Sequence, residues 1–142
     1  GTDVSDVIRT TALSMAASAV SAIPAVRAFL LATQRDIAAE SSVVMDGRDI
    51  GTTVFPNAEM KVFVTASAEV RAQRRYDELT ARGDKPDFRE ILDNVLQRDH
   101  IDQTREVSPL RQADDALLLD NSNLTREEQM EWLIEKFNNI TK

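Results

Sequence analysis

The apolar positions of this chain alternate between helical and strand spacing, and the alternation predicts an α/β fold. From Asp3 to Ser21 apolar residues recur three or four positions apart, which predicts a first helix. Pro24 suits the first turn of a second helix, whose mainly apolar stripe continues to about Glu40. The apolar runs Val43 to Asp46 and Met60 to Thr65 are short and separated by turn residues, so each predicts a strand.

The second half of the chain continues the alternation and adds capping signals. Ser67 is a candidate N-cap for a helix to about Arg82, and Gly83 offers a left-handed stop after it. Possible capping boxes precede the next two helices, at Asp87 with Glu90 and at Thr125 with Glu128. The remaining predicted elements are a helix from Phe88 to about Thr104, a strand from Ala116 to Leu119, and a last helix carrying Met130, Leu133, Ile134 and Phe137.

Three short strands that alternate with helices predict one α/β domain with a parallel sheet. The segment from Arg71 to Arg111 has few large apolar residues and many charges. We therefore expect its two helices to be the most mobile part of the chain and to form a lid.

Composition narrows the function classes. The 142 residues carry a net charge of −7, which argues against a nucleic-acid groove or an anionic membrane surface. There is no cysteine and one histidine, His100, so thiolate–metal sites and a serine–histidine triad are disfavoured. His100 fits a surface or lid position better than a catalytic one. No apolar run predicts a membrane span and no signal sequence is visible, so we expect a soluble cytoplasmic protein.

Arginine is the preferred cation of this chain. Lysine occupies four of the 17 basic positions and arginine the other 13. The planar guanidinium suits two-pronged contacts with phosphate or carboxylate, although ordinary surface preference gives the same composition.

Charged residues follow the first predicted strand at Asp46, Arg48 and Asp49. Parallel α/β sheets carry their chemistry just beyond the carboxyl ends of their strands. An aspartate there often orients water on a magnesium ion in phosphoryl transfer, and Arg48 could hold a phosphate. The alternative is a polar turn in which Arg48 pairs with its own neighbours.

A second set of arginines lies on the two predicted lid helices, at Arg71, Arg74, Arg75, Arg98 and Arg105. Helical spacing places Arg98, Asp102 and Arg105 on one face. Such a face could neutralise a transferring phosphoryl group across a cleft. The alternative is a solvated helix surface in which these arginines pair with acids such as Glu69, Asp77 and Asp99.

Three segments of the chain resemble bacterial cytidylate kinases. They are IRTTALSMAASAVSAIPAVRAFL, then VVMDGRDIGTTVFPNAEMKVFVTASAEVRAQRRYDEL, then QRDHIDQTREVSPL with ADDALLLDNSN. The resemblance runs from Ile8 to about Leu124. It implies the parallel-sheet P-loop fold of nucleoside monophosphate kinases, and transfer of the γ-phosphoryl group of ATP to CMP or dCMP with Mg²⁺.

The resemblance also implies site residues. Ser18, Arg27 and Asp49 would contact cytosine, and Arg98 and Asp102 would lie at the sugar. Arg48 and Arg105 would hold the acceptor phosphate. The ATP contacts would come from Arg74 and Arg75, and Asp46 would lie near magnesium, through water. Arg48, Arg98, Arg105 and Asp46 would thus form the catalytic set.

One part of the family pattern is missing. Such kinases need a loop of the form G-x-x-x-x-G-K-[ST], and this chain has four glycines and no Gly-Lys pair. We therefore expect an incomplete kinase core over residues 1–142, inactive alone. Residues 1–21 would be the end of the monophosphate-binding insertion and the following helix, and residues 71–111 the lid.

The missing loop would also leave the sheet incomplete. The strands at 43–46 and 60–65 would face a gap of about 10 Å, two strand spacings. The amino-terminal part of the protein or a second copy would fill it.

Two alternatives stay open on the residues alone. One is a non-catalytic α/β module that binds a nucleotide or a protein. The other is a kinase for a different small phosphate acceptor.

Overall fold

The chain folds into helices packed around a small parallel sheet. The computed structural model describes Asp3, Val4, Ile8 and residues 11–140, without the side chains of residues 11, 12 and 14. The elements are α1 (Thr11–Ser21), α2 (Pro24–Glu40), a single π-helical turn (Ile50–Val54), β1 (Val62–Thr65), α3 (Ala68–Ala81), α4 (Phe88–Thr104), β2 (Leu117–Asp120) and α5 (Arg126–Ile140).

The sheet confirms the predicted α/β class and its parallel direction. β1 pairs with β2 in parallel, with Val62 opposite Leu117 and Thr65 opposite Asp120. The connection between them contains α3 and α4, as a parallel crossover requires.

The strand predicted at Val43–Asp46 is wrong. Over the described residues the sheet has two strands, and this segment is not one of them. Val44 is fully exposed. An apolar run becomes a strand only where another strand supplies its hydrogen bonds, and β1 pairs with β2 instead.

The predicted helix ends are confirmed by their caps. The Ser67 hydroxyl accepts from the Val70 N–H at 3.2 Å, and the Asp87 carboxylate accepts from the Glu90 N–H at 2.9 Å. Gly83 has φ +90° and ends α3 in the left-handed region.

The capping box before α5 is reciprocal. The Thr125 N–H donates to Glu128 Oε2 at 2.8 Å, and the Glu128 N–H donates to Thr125 Oγ1 at 3.1 Å. Two donors that the helix would otherwise leave unpaired are therefore satisfied.

α3 and α4 form an antiparallel helical hairpin. The Arg71 guanidinium makes two hydrogen bonds with Asp99, at 2.8 and 2.5 Å, and Ala72 is fully buried. Tyr76 meets Phe88 edge-to-face, with ring centroids 6.3 Å apart. These contacts hold the two helices as one unit.

α1 and α2 meet at a sharp bend of 88°. The first helix is predicted from Asp3, whereas α1 as described begins at Thr11. Asp3, Val4 and Ile8 lie outside α1, and the other positions predicted for the start of this helix lie outside the described residues. No single helix in the described part is both long and apolar enough to cross a membrane, although the bent pair Met15–Ser21 and Pro24–Glu40 passes on length and composition together.

The apolar core of the described chain is small. Its buried apolar residues are Val54, Ala72 and Leu119. The apolar stripe of α2 is largely in solvent, with Phe29 73% exposed. Both faces of the sheet and one side of α5 are also half exposed, through Val64, Leu118, Met130, Ile134 and Phe137. These apolar faces lack a covering layer within the described residues.

Candidate functional site

Charged side chains and one serine from four parts of the chain meet beside the bend between α1 and α2. We call them the arginine–aspartate cluster, which consists of Ser18, Arg27, Arg48, Asp49, Arg98, Asp102 and Arg105. The sequence predicted all seven as site residues. The outermost two, Ser18 and Arg105, are 87 positions apart along the chain, and the fold brings them together.

Asp49 is held by its backbone and by two arginines. Its carbonyl accepts from the Thr53 N–H at 2.8 Å and the Val54 N–H at 3.2 Å, so the π-helical turn begins on it. Its carboxylate pairs with the Arg27 guanidinium and lies 3.5 Å from Arg105 Nη2. Single π-helical turns often occur at functional sites.

Arg27 leaves the first turn of α2 and reaches back across the bend. Its Nη1 donates to the Ser21 carbonyl at 3.2 Å. Pro24 starts α2 immediately after α1, so the bend aims Arg27 at Asp49.

Asp102 is the second acidic centre, on the last turns of α4. It is 3% exposed and accepts from Arg48 Nε at 2.9 Å and from the Ser18 hydroxyl at 3.4 Å. Arg105 Nη1 lies 4.0 Å away. Asp102 therefore joins α1, α4 and the loop that follows α2.

Two arginines of the cluster keep buried donors without partners. Within the described residues, Arg98 Nε and Arg105 Nη2 are buried and lack hydrogen-bond acceptors. Arg105 Nη2 is in ion-pair range of Asp49, at 3.5 Å, without a hydrogen bond to it. Buried donors normally find partners, so these two indicate room for a ligand oxygen.

Burial and like charges act on the same two guanidinium groups. Burial lowers the pKa of Arg98 below its usual value, and the neighbouring Arg48 adds to the effect. Burial likewise lowers the pKa of Arg105, helped by Arg27. An anion between these groups would relieve both the repulsion and the lost solvation.

The cluster has an excess of positive charge. Its four arginines exceed its two aspartates, leaving a net charge of +2. A phosphate monoester at neutral pH carries about −1.5 to −2, which would balance that excess. The arrangement therefore fits a dianionic phosphate next to a carboxylate, Asp49, that can accept hydrogen bonds.

Arg74 and Arg75, predicted as ATP contacts, lie outside the cluster on α3. Arg74 donates to the side chain and the carbonyl of Asn121, at 3.0 and 2.6 Å. It lines an open pocket of about 380 Å³ with Thr125, Gln129 and Met130. Arg75 pairs with Glu78 at 2.7 Å.

Asp46 and His100 are exposed. Across the described part of the chain, no group of three or more histidine or acidic side chains is placed to hold a metal ion. A single carboxylate such as Asp46 fits a water-mediated contact with a metal that arrives on a nucleotide, since magnesium usually keeps several waters.

Sequence reasoning missed residues that hold the cluster from outside. Arg35 on α2 donates to the Val54 and Thr53 carbonyls at 3.1 and 2.8 Å and so closes the π-helical turn. Lys61 pairs with Asp115 at 2.7 Å, and its side chain packs against Gly51. Ser108 accepts from Arg105 Nε at 2.7 Å. No motif marks these contacts, because each joins a charged side chain to a backbone or to a distant residue.

A parallel α/β domain with a net positive, partly unpaired arginine site is typical of proteins that bind phosphorylated ligands. A family model described as cytidylate kinase matches residues 1–139. The chain belongs to the cytidylate kinase family.

Curated relatives agree with the family. The chain is 60% identical over 142 residues to the cytidylate kinase of Bacteroides fragilis and 59% identical to that of Bacteroides thetaiotaomicron, with 100% of the chain and 62% of each relative covered. It is 51% identical to the enzyme of Porphyromonas gingivalis, over 99% of the chain and 62% of that relative. The chain thus spans less than two thirds of their length.

Proposed function

We propose that the protein of which this chain is a part transfers the γ-phosphoryl group of ATP to CMP or dCMP. The observation that carries this is the pair of buried, unpartnered donors, Arg98 Nε and Arg105 Nη2, in a cluster of net charge +2. Family membership supplies the reaction class, phosphoryl transfer.

In this proposal Asp49 selects the base. Cytosine offers an exocyclic amine, whereas uracil has a carbonyl at that position and an N–H at N3. A carboxylate accepts several hydrogen bonds, so Asp49 can receive the amine while it stays paired with Arg27. Ser18 and Arg27 supply donors for the cytosine acceptors. Uracil would meet Asp49 acceptor to acceptor, and mismatches of this kind discriminate by up to about 10⁴-fold.

The phosphate and the sugar lie along the other side of the cluster. Arg48 and Arg105 hold the acceptor phosphate, while Arg98 and Asp102 lie at the sugar. The Arg48–Asp102 contact of 2.9 Å ties the two roles together. A phosphate oxygen is already a nucleophile, so these residues contribute position and charge neutralisation rather than a general base.

Arg74 and Arg75 approach ATP, and the open pocket beside Arg74 and Asn121 supports a ligand at that end of α3. Magnesium supplies Lewis-acid neutralisation of the phosphates when it is bound with ATP. Asp46 would hold one of its waters. We also propose that residues 71–111 act as a lid, since α3 and α4 form a hairpin inserted between β1 and β2.

The ATP-cradling half of the site lies outside these 142 residues in this proposal. The sequence contains no G-x-x-x-x-G-K-[ST], and Val64 and Leu118 expose apolar surface at the sheet. The remaining part of the polypeptide, or a second copy, completes the sheet there. The chain alone would then be inactive. Its partners are cytosolic nucleotides rather than nucleic acid or membrane, in keeping with the net charge of −7.

The test is ligand-dependent thermal stabilisation of the 142-residue chain, with CMP, dCMP and UMP compared at equal concentration. CMP should raise the melting temperature more than UMP, and Asp49→Asn should erase the difference. Asp36→Asn, an exposed acid on α2, is the matched control and should leave the difference intact.

Two outcomes contradict the proposal. Equal shifts with CMP and UMP would favour a non-catalytic binding module in which the arginines serve only structure. Turnover of CMP and ATP by the bare chain, in a coupled assay, would overturn the argument from the missing loop.

A further inference from the structure

Ser108 adopts a backbone conformation that serine rarely takes. Among the described residues it is the only non-glycine with positive φ, at 51°. A side chain at this angle strains the backbone unless the surroundings hold it, and such strain concentrates at functional sites. Ser108 lies in the loop after α4, followed by Pro109, and is not among the site residues that the family resemblance implies.

The left-handed turn folds the loop back onto the end of α4. The Ser108 carbonyl accepts from Arg105 Nε at 2.7 Å, and the Leu110 N–H donates to the Asp102 carbonyl at 2.7 Å. The loop is therefore bonded to both cluster residues that α4 contributes at its end.

The bond to Nε fixes the direction of the Arg105 fork. While Nε donates to the Ser108 carbonyl, Nη2 lies 3.5 Å from Asp49 and Nη1 lies 4.0 Å from Asp102. The Arg105 side chain is 6% exposed, and Nη2 is left without a hydrogen-bond acceptor among the described residues. Arg105 Nη2 points into the cluster because Nε of the same guanidinium group donates to the backbone carbonyl of Ser108.

We propose that Ser108 is a positioning residue for phosphate recognition, acting through Arg105. Its left-handed backbone, not its hydroxyl, carries the effect. The inference rests on the proposed function, because it assumes that the ligand of Arg105 is the phosphate of CMP. It predicts that backbone freedom at position 108 decides affinity for the phosphate and leaves recognition of the base unchanged.

The experiment uses three substitutions that differ in their tolerance of positive φ. Ser108→Gly accepts it freely, Ser108→Ala less well, and Ser108→Val poorly. Val107→Ala, at the exposed neighbouring position, is the matched control. Binding of CMP and of cytidine, which lacks the phosphate, is measured by calorimetry, and folding is checked by circular dichroism.

We expect Ser108→Gly to bind CMP as the wild type does, and Ser108→Val to bind it about tenfold more weakly, the factor that about 1.4 kcal/mol of backbone strain gives. Ser108→Ala should fall between them, and it carries the test if the valine variant fails to fold. Cytidine affinity should stay constant throughout. Parallel losses for CMP and cytidine, or a CMP loss in Ser108→Gly, would overturn the proposal.

A second readout separates this inference from the proposed function. The ¹⁵N–¹H signal of Arg105 Nε reports the bond to Ser108 without any ligand. It should be protected from exchange in the wild type and Ser108→Gly, less protected in Ser108→Ala, and exposed in Ser108→Val. Absence of CMP binding to the wild type would sink the proposed function. An unprotected Nε in the wild type would sink the positioning role.

Discussion

Arg48 Nε donates to Asp102 Oδ2 at 2.9 Å, joining two residues that lie 54 positions apart. Arg48 is half exposed, whereas Asp102 is almost fully buried. The bond therefore attaches an exposed loop to a fixed point on α4. Because Asp102 is the buried partner, losing its carboxylate should destabilise the structure more than losing the Arg48 side chain.

Asp102→Asn should destabilise the chain. The substitution keeps the size of the side chain but leaves Arg48, Arg98 and Arg105 facing each other without their shared counter-charge. Removing one partner from a buried pair costs about 3 kcal/mol. Urea denaturation measures the loss. Asp93→Asn, exposed on the same helix, should stay within about 0.5 kcal/mol of the wild type. A small loss for Asp102→Asn would show that solvent already screens the cluster.

The Arg71–Asp99 pair should couple α3 to α4. A double-mutant cycle with Arg71→Ala and Asp99→Ala should give a coupling energy of about 0.5–1 kcal/mol, since the pair has two hydrogen bonds but is partly exposed. The control cycle at Glu135 and Lys136, adjacent residues on α5, should give almost none. Equal coupling energies in the two cycles would show that the Arg71–Asp99 pair does not specifically stabilise the contact between α3 and α4.

Gly83→Ala should lower stability by about 1 kcal/mol, because alanine resists the left-handed backbone at φ +90°. No described atom lies within 4 Å of the added methyl group, so a clash does not account for the loss. Gly83→Asn serves as the control and should lose less, since asparagine tolerates this conformation. Thermal unfolding measures both. An asparagine variant as weak as the alanine variant would contradict the backbone argument.

Acid should weaken the start of α5. The Thr125 backbone N–H holds the pKa of Glu128 below its ordinary value of 4.5. A carboxyl group with a lowered folded pKa stabilises the fold above its unfolded pKa and loses that contribution as pH falls through the folded pKa. Glu128→Gln should therefore be less stable than the wild type at about pH 7, and the gap should close below about pH 4.5.

The measurement for Glu128→Gln is the melting temperature from about pH 7 to about pH 3, a range that brackets the titration of a carboxyl group. Asn139→Ala on the same helix removes no titrating group, so its curve should run parallel to that of the wild type. A constant gap for Glu128→Gln across the range would show that the capping bond does not depend on the charge of the carboxylate.

Local signals predicted most of the fold. Ser67, Asp87 and Thr125 mark helix starts by chemistry that each side chain carries itself, and the structure places a cap at all three. The strand prediction for Val43–Asp46 failed because a strand depends on a neighbouring strand that its own residues do not specify.

The arginine–aspartate cluster is likewise predicted only where sequence signals mark its residues. Helical spacing alone predicts that Arg98, Asp102 and Arg105 share one face. The position after the first predicted strand marks Arg48 and Asp49, and the family resemblance adds Ser18 and Arg27. None of these signals reveals Ser108, because its contribution is a backbone carbonyl and a φ angle. The roles of the cluster residues in binding and catalysis stay predictions until they are measured.

The excess positive charge of the cluster lies in a chain of net charge −7. A nucleotide anion therefore meets repulsion while it is distant and attraction only within the Debye length, about 8 Å at physiological ionic strength. Added salt screens the repulsion outside and the attraction inside. Moderate salt should therefore increase the association rate of the nucleotide. It should also increase the dissociation rate, so the bound nucleotide has a shorter residence time.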